Sequence, residues 1–351
     1  MNEKIYFIVP GSLAIRTGGY AYDRRIIEHL RAGGWTVEPI ELGGNFPNPD
    51  DKTRAKAEKI FATIPNQARV VVDGLAFGAL PEIAEKEHSR LVLIGLVHHP
   101  LADETGIADD LRQELMRSEA LTLGFAKQAI VTSKFTRRRL VQLGISPEKI
   151  FVVEPGVAPA PLAGRRDGNG RERAIQMFCP ASYIVRKGHA DLLFALSGLT
   201  DLPWHLICVG NSELDTRCFA GLCALREELG LAERVELRAE VDDRELESLY
   251  AASDLIVLAS HYEGFGMVVT EAIARGLPIV TTTGGALAET LPEGAGLASP
   301  PGDIDALMIS LRRILKDKNL FAGLSKGAQT ARGRLRTWED ASRAFAAVLS
   351  A

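Results

Sequence analysis

Cysteine is scarce. Four stand in 351 residues, at Cys179, Cys208, Cys218 and Cys223, and no two form a C-x-x-C pair. That excludes a disulfide-built scaffold and the common zinc-ribbon spacing. Cys179 and Cys208 fall inside apolar, strand-like runs and read as small hydrophobes in a reducing cytoplasm. A positive excess is also missing. Lys and Arg number 41 against 45 Asp and Glu, a net charge of −4, so no global nucleic-acid footprint is present. No apolar run reaches the ~18 residues of a membrane span. The chain opens on an acidic residue and a strand rather than on a charged and apolar leader, which sets the expected location as cytoplasmic. The fingerprint G-x-G-x-x-G does not follow the first strand, which argues against NAD.

What is present is ordinary for a soluble globular protein: 46% apolar and 25% charged residues, with length for two domains. Short apolar runs at Ile5–Pro10, Thr36–Leu42, Arg69–Asp73, Leu91–Val97, Ala129–Thr132 and Ile150–Val153 alternate with amphipathic stretches such as Ala21–Arg31, Ala79–Lys86 and Leu111–Lys127. Near-continuous apolar strands alternating with helices specify a parallel sheet covered on both faces. Pro155 to Arg173 breaks the rhythm with three prolines and four glycines and reads as a linker. A second α/β rhythm follows. Its strands are Gln176–Pro180, His205–Val209, Val235–Leu237, Leu255–Ala259 and Pro278–Thr282, with a short one near Gly296–Ser299. Helices are expected over Leu307–Asp317, Leu320–Ala331 and Trp338–Leu349. The class is α/β, with two Rossmann-like doubly wound parallel-sheet domains facing a cleft, where ligands bind outside the carboxyl ends of the strands.

The densest signal is Glu263-Gly-Phe-Gly-Met-Val-Val-Thr-Glu271. A buried-strand pattern, Ala252 to Ser260, precedes it, and a helix ending at Gly276 follows. Gly264 and Gly266 let the backbone approach a ligand and leave free amides at a helix start, which is an anion site. The two acids are eight apart, near twice the helical period, and are expected on roughly one face. Carboxylates there suit sugar or ribose hydroxyls. The plain alternative is a surface helix carrying two glutamates.

This acid–seven residues–acid run resembles the signature of the family 4 retaining glycosyltransferases, which have the GT-B fold. The resemblance implies transfer of a sugar from a nucleoside-diphosphate sugar to an acceptor hydroxyl, with no required cofactor and no metal. Glu263 would then meet the donor sugar, the amides of Gly264, Phe265, Gly266 and Met267 the sugar and diphosphate, and Glu271 the ribose. It implies domains over 1–154 and 174–334, a linker over 155–173, and a last segment, 335–351, crossing back to the first domain.

Three further stretches fit the same frame. Pro10 to Tyr22 carries Gly18 and Gly19 at the opening of the first helix, similar to the family's glycine-rich N-terminal loop; a plain strand–helix turn is the alternative. Val97-His98-His99-Pro100 follows a strand, with Asp103 and Glu104 beyond. By position the family's donor-side histidine falls on His98, with His99 as fallback. A structural polar residue and a metal set of both histidines with Asp103 or Glu104 are the alternatives. Arg186-Lys187-Gly188 follows the first strand of the second domain. Lys187 is assigned to the diphosphate, because fixed positive charge stabilises that leaving group. Many relatives carry Gly-Arg about six residues earlier, where this chain has Pro180 and Ala181; Arg186 or Arg16 is then the second cation. In the family, backbone near Val241 pairs with the donor base. Acceptor contacts are expected in the loops Gly43–Asp51 and Leu101–Leu115.

Asp303-Ile-Asp305 spells D-x-D but precedes a helix, so Asp303 reads as an N-cap. Arg137-Arg138-Arg139 reads as a solvated helix face, with peripheral contact to an anionic lipid surface as the alternative. Rival readings of the whole chain are another GT-B enzyme such as a sugar-nucleotide epimerase, a non-catalytic nucleotide-sugar-binding protein, and a dinucleotide oxidoreductase.

Overall fold

The computed structural model describes residues 4–163 and 174–351. The linker expected over 155–173 therefore lies, from 164 onward, outside the described residues. Contacts divide the chain into two units: Val157–Leu335, and the preceding residues to Gly156 together with Arg336–Ala351.

The first unit runs β1 (Lys4–Val9), α1 (Gly18–Ala32), β2 (Thr36–Glu41), α2 (Asp51–Thr63), β3 (Arg69–Asp73), α3 (Gly74–Phe77), α4 (Pro81–Glu87), β4 (Val92–Val97), α5 (Asp109–Phe125), β5 (Gln128–Val131), α6 (Lys134–Gln142) and β6 (Ile150–Val152). Its six strands pair in the order β2-β1-β3-β4-β5-β6, all parallel. Residues such as Ile8, Val70, Val72, Leu93 and Val131 are fully buried, as a sheet covered on both faces requires.

The second unit runs β7 (Ile175–Pro180), α7 (His189–Ser197), β8 (Trp204–Val209), α8 (Thr216–Glu228), β9 (Val235–Arg238), α9 (Asp243–Ala252), β10 (Leu255–Leu258), α10 (Met267–Ala274), β11 (Ile279–Thr282), α11 (Leu287–Thr290), β12 (Gly296–Ser299), α12 (Ile304–Lys316) and α13 (Lys318–Ala331). Its parallel order is β12-β11-β10-β7-β8-β9. Read from β9, that is the 3-2-1-4-5-6 dinucleotide-fold order, whereas the first unit has the 2-1-3-4-5 flavodoxin-like order with one strand added. Asp303 caps α12, its side chain accepting from the Ala306 amide at 2.9 Å.

The last helix, α14 (Trp338–Ser350), belongs to the first unit and packs on α1. A capping box of Thr337 and Asp340 starts it. Phe345 stacks on Phe7 of β1 with ring centroids 6.4 Å apart, and Trp338 meets Tyr22 of α1 edge-on at 5.9 Å.

Each sheet reverses direction once. In the first unit the reversal lies between β1 and β3; in the second it lies between β7 and β10. Loops leaving the carboxyl ends at such a reversal have space between them for a ligand.

Candidate active site

In the second unit the reversal brings together the loops after β7 and β10. The first carries Arg186 and Lys187 in a single 3-10 turn, and the second carries Glu263. Lys187 Nζ lies 2.6 Å from Glu263 Oε1, and Arg186 Nη1 lies 3.6 Å from Glu263 Oε2. Ser260 Oγ donates to the same Oε1 at 2.7 Å. Arg186 also donates to the Tyr262 carbonyl at 2.8 Å, and its own carbonyl accepts from the His261 amide at 2.8 Å. His261 Nε2 in turn meets Asp191 Oδ2 of α7 at 2.6 Å. The two loops are thus tied together through side chains and backbone alike.

Gly188 makes the tie possible. It adopts φ +65°, and a Cβ there would stand 2.0 Å from the Ala259 carbonyl oxygen. Only glycine takes that conformation at that distance without displacing β10's end.

The charges are buried. Burial alone would raise the Glu263 carboxyl, but the Lys187 and Arg186 charges with the Lys187 and Ser260 hydrogen bonds outweigh it and hold it below the ordinary range. Burial, the largest influence on Lys187, draws its ammonium below the usual value against the pull of Glu263. Two cations face one carboxylate, so the cluster carries one surplus positive charge.

One expectation is corrected. Glu263 and Glu271 do not share a helix face, because α10 begins only at Met267, with Gly266 at φ +91° as its cap. Glu263 lies upstream, bridged to Gly285. Glu271, on α10, accepts from the Tyr250 hydroxyl at 2.7 Å, and Arg275 lies 4.2 Å over the Tyr250 ring. The amides of Gly264, Phe265, Gly266 and Met267 form the turn between the two acids. Val241 lies on the loop between β9 and α9, partly buried against the core of this unit. The cation beside Lys187 is Arg186; Arg16 belongs to the other unit.

In the first unit the chemistry gathers around His98, directly after β4. Its Nε2 lies 3.1 Å from Asp23 Oδ1 of α1 and 3.3 Å from Asp73 Oδ2 at the end of β3. Asp73 uses its other oxygen to cap α3, accepting from Leu75 N at 2.7 Å. Tyr22 packs edge-on to the imidazole at 5.4 Å, and a Cβ on Gly19 would come 3.2 Å from His98 Cδ2. Gly19 therefore lets α1 approach the ring, a steric role its place in a glycine-rich loop did not announce. Burial alone would lower the His98 imidazole, but the Asp23 charge and the hydrogen bonds of Asp23 and Asp73 push it up to about 10. These carboxylates favour the protonated ring, the imidazolium. Burial, the largest influence, and the neighbouring Asp73 charge raise the Asp23 carboxyl, while His98 opposes them.

The metal set weighed for His98 and His99 with Asp103 or Glu104 does not assemble. His99 turns to Glu104 at 3.4 Å, and Asp103 takes the Arg139 fork at 2.9 and 2.6 Å. Among the described residues, the polar clusters that could hold a metal ion are instead Asp23 with Asp73 and His98, and Cys179 with His189 and Cys208. Arg137 donates to the Pro147 carbonyl and Arg138 lies over Phe135, so each arginine of the basic run has a partner in its own unit. Among the described residues no helix is long and apolar enough to cross a membrane. An open depression of about 300 Å³ in the first unit is lined by Pro47, Asn48, Arg54, Leu111, Glu114 and Arg117 among others, and lies between the 43–51 loop and α5; the loop expected over Leu101–Leu115 is helical from Asp109 onward.

Asp23, Asp73, Ser260 and Tyr250 were not singled out from the sequence. Asp73 alone left a signal, as an acid closing an apolar strand.

Two six-stranded parallel sheets, each with one reversal of strand order, are the architecture of the GT-B fold. A solved structure of sucrose-phosphate synthase from Thermosynechococcus elongatus matches with TM-score 0.82 at 22% identity, covering 99% of this chain and 98% of that one. Anabaena Alr3699/HepE in complex with UDP-glucose matches with TM-score 0.77 at 19% identity, covering 99% of each. The chain matches the family model of the glycosyl transferases group 1 over residues 165–331. It is 28% identical to the MMP alpha-(1->4)-mannosyltransferase of Mycolicibacterium hassiacum over 86% of this chain and 75% of that protein. It is 29% identical to the D-inositol 3-phosphate glycosyltransferase of Thermobispora bispora over 60% of this chain and 53% of that protein.

Proposed function

We propose that this glycosyltransferase takes its sugar from a nucleoside-diphosphate donor and passes it to an acceptor hydroxyl with retained anomeric configuration. The observation that carries the reading is the surplus positive charge of the Lys187–Arg186–Glu263 cluster at the sheet reversal. Lys187, Arg186 and the amides of Gly264 to Met267 would take the diphosphate, whose negative charge grows as the glycosidic bond breaks. Glu263, released from Lys187 by that anion, would accept from sugar hydroxyls. Glu271, steadied by Tyr250, would hold the ribose, and the Val241 backbone would meet the base. Fixed ammonium and guanidinium groups supply the positive charge, so no metal cofactor enters the proposal.

On the first unit, the His98 imidazolium, with Gly18 and Gly19 at the start of α1, would contact the transferred sugar and organise charge near its anomeric carbon. The resemblance to the retaining family favours a front-face substitution in which the departing diphosphate helps take the acceptor proton. The protein contributes positioning and electrostatics. The acceptor would lie against the first unit, whose 43–51 loop and α5 border the depression. The neighbouring HepE structures with UDP and UDP-glucose support a nucleotide-sugar donor.

Thermal stabilisation by UDP, GDP, ADP and dTDP, without and with magnesium, tests the donor. Ligand binding to the native state raises stability with the logarithm of saturation. A shift with one nucleotide chooses the donor series; no shift with any, in folded protein, overturns the reading. With that donor, a panel of lipid-linked, polysaccharide and small-molecule acceptors assigns the acceptor. NMR of the first-formed product reads the anomeric configuration, and inversion would overturn the front-face mechanism.

A further inference from the structure

Beneath the Lys187 turn lies a group of side chains that the transfer chemistry does not use. Cys179 and Cys208 are directly paired residues of β7 and β8, so their side chains leave the sheet on the same face. His189, the first residue of α7, places its Nε2 3.8 Å from the Cys179 sulfur. The two sulfurs and the imidazole nitrogen all lie within 4.8 Å of one another. All three residues are buried: Cys179 and Cys208 at 1% exposure, His189 at 3%. The His189 Nδ1 is also buried and has no hydrogen-bond partner among the described residues. A buried imidazole whose polar neighbour is sulfur is poorly satisfied by hydrogen bonding alone.

The spacing fits metal ligation. Zinc–sulfur and zinc–nitrogen bonds of about 2.3 and 2.0–2.1 Å at a tetrahedral angle separate the ligand atoms by about 3.6 Å. Two sulfurs and one imidazole suit zinc. Charge balance favours zinc further. Two thiolates neutralise Zn²⁺ and the imidazole is neutral, so the loaded centre would carry no net charge, the condition under which burial is inexpensive. A monovalent soft ion would leave a buried negative charge.

We propose that Cys179, Cys208 and His189 bind a structural zinc ion that pins the start of α7 to the ends of β7 and β8. Each thiol gives up its proton on binding, and no electron is transferred. The ion ties His189, two residues after Lys187, to the sheet and so fixes the turn that carries Arg186 and Lys187. Tyr183 closes the group, its ring 5.0 Å from that of His189. Zinc therefore enters as the chain folds.

The test uses the full chain produced in zinc-supplemented medium and dialysed before elemental analysis. The expected result is one zinc per chain and a melting temperature above that of protein produced with zinc depleted. C179S and C208S should lose the metal, and the C218S/C223S double variant should keep it. X-ray absorption of the wild-type zinc protein should show two sulfur ligands with nitrogen, a readout independent of whether any variant folds. Absence of zinc from the wild type, a shell of oxygen and nitrogen alone, or zinc retained by both single variants overturns the proposal. None of these measurements depends on transferase activity.

Discussion

Lys187 and Glu263, 76 residues apart in sequence, close a 2.6 Å ion pair across the two loops that leave the sheet reversal of the second unit. The pair is a placeholder in the chemical sense. Its ammonium is already oriented and buried, and in the proposed reaction an arriving diphosphate would replace a carboxylate rather than water.

Lys187→Ala should weaken nucleoside-diphosphate binding by about 10- to 100-fold, the worth of one hydrogen bond to a charged group. Isothermal titration calorimetry reads it. Unchanged affinity in a folded variant would remove Lys187 from the diphosphate site. The double variant Lys187→Ala with Glu263→Ala should be less than additive, because the two groups share one interaction.

Glu271→Ala should cost about 1–3 kcal/mol of nucleotide affinity. The deficit should vanish for a nucleotide lacking both ribose hydroxyls, since that ligand has nothing for the carboxylate to hold. Tyr250→Phe should show a smaller deficit of the same pattern. Equal losses with both nucleotides would mean that Glu271 acts through the fold.

His98 should titrate far above neutrality. Proton NMR should show an imidazolium at pH 8, with the transition near the value of about 10 that Asp23 and Asp73 impose. Asp23→Asn should move it down toward the ordinary value of about 6.5. The raised value stabilises the protonated folded form. Its contribution is complete below about 6.5, the unfolded value, and is lost as pH rises through about 10. Chemical denaturation from pH 6 to 10 should show wild type losing stability that Asp23→Asn does not lose.

Gly188→Ala should destabilise the protein, because a side chain at φ +65° and 2.0 Å from the Ala259 carbonyl forces β10's end to move. Backbone strain of this kind costs about 1–3 kcal/mol. Donor affinity should fall with stability, since the same turn carries Lys187. Calorimetric melting unaltered from wild type would mean that the turn has room the close approach denies.

The fold was legible because its strands are buried on both faces. Runs such as Val92–Val97 and Leu255–Leu258 leave little choice but a parallel sheet. The Glu263 run was legible for a local reason: glycines, acids and a strand end fall within nine residues. The helix start was less so. A period-based reading placed Glu263 and Glu271 on one face, whereas the left-handed Gly266 delays α10 to Met267. Partners distant in sequence were not legible at all. Asp23 reaches His98 across 75 residues, and no spacing rule foretells which strand end an acid on α1 will meet. The cysteine pairing was hidden for another reason: Cys179 and Cys208 each read as a small hydrophobe, and only strand register sets one beside the other.

The return of α14 to the first unit has a consequence for synthesis. A ribosome makes β1 to β6 before the 157–335 segment, yet the Phe7 ring gains its Phe345 partner, and Tyr22 its Trp338 partner, only after that segment has been made. The intervening 157–335 segment contains all of its own strands and can complete its core while the earlier segment still waits. The part born first is thus finished last. Loss of the final helix would bare one side of α1, the helix that holds Asp23 against His98, and leave the 157–335 core whole.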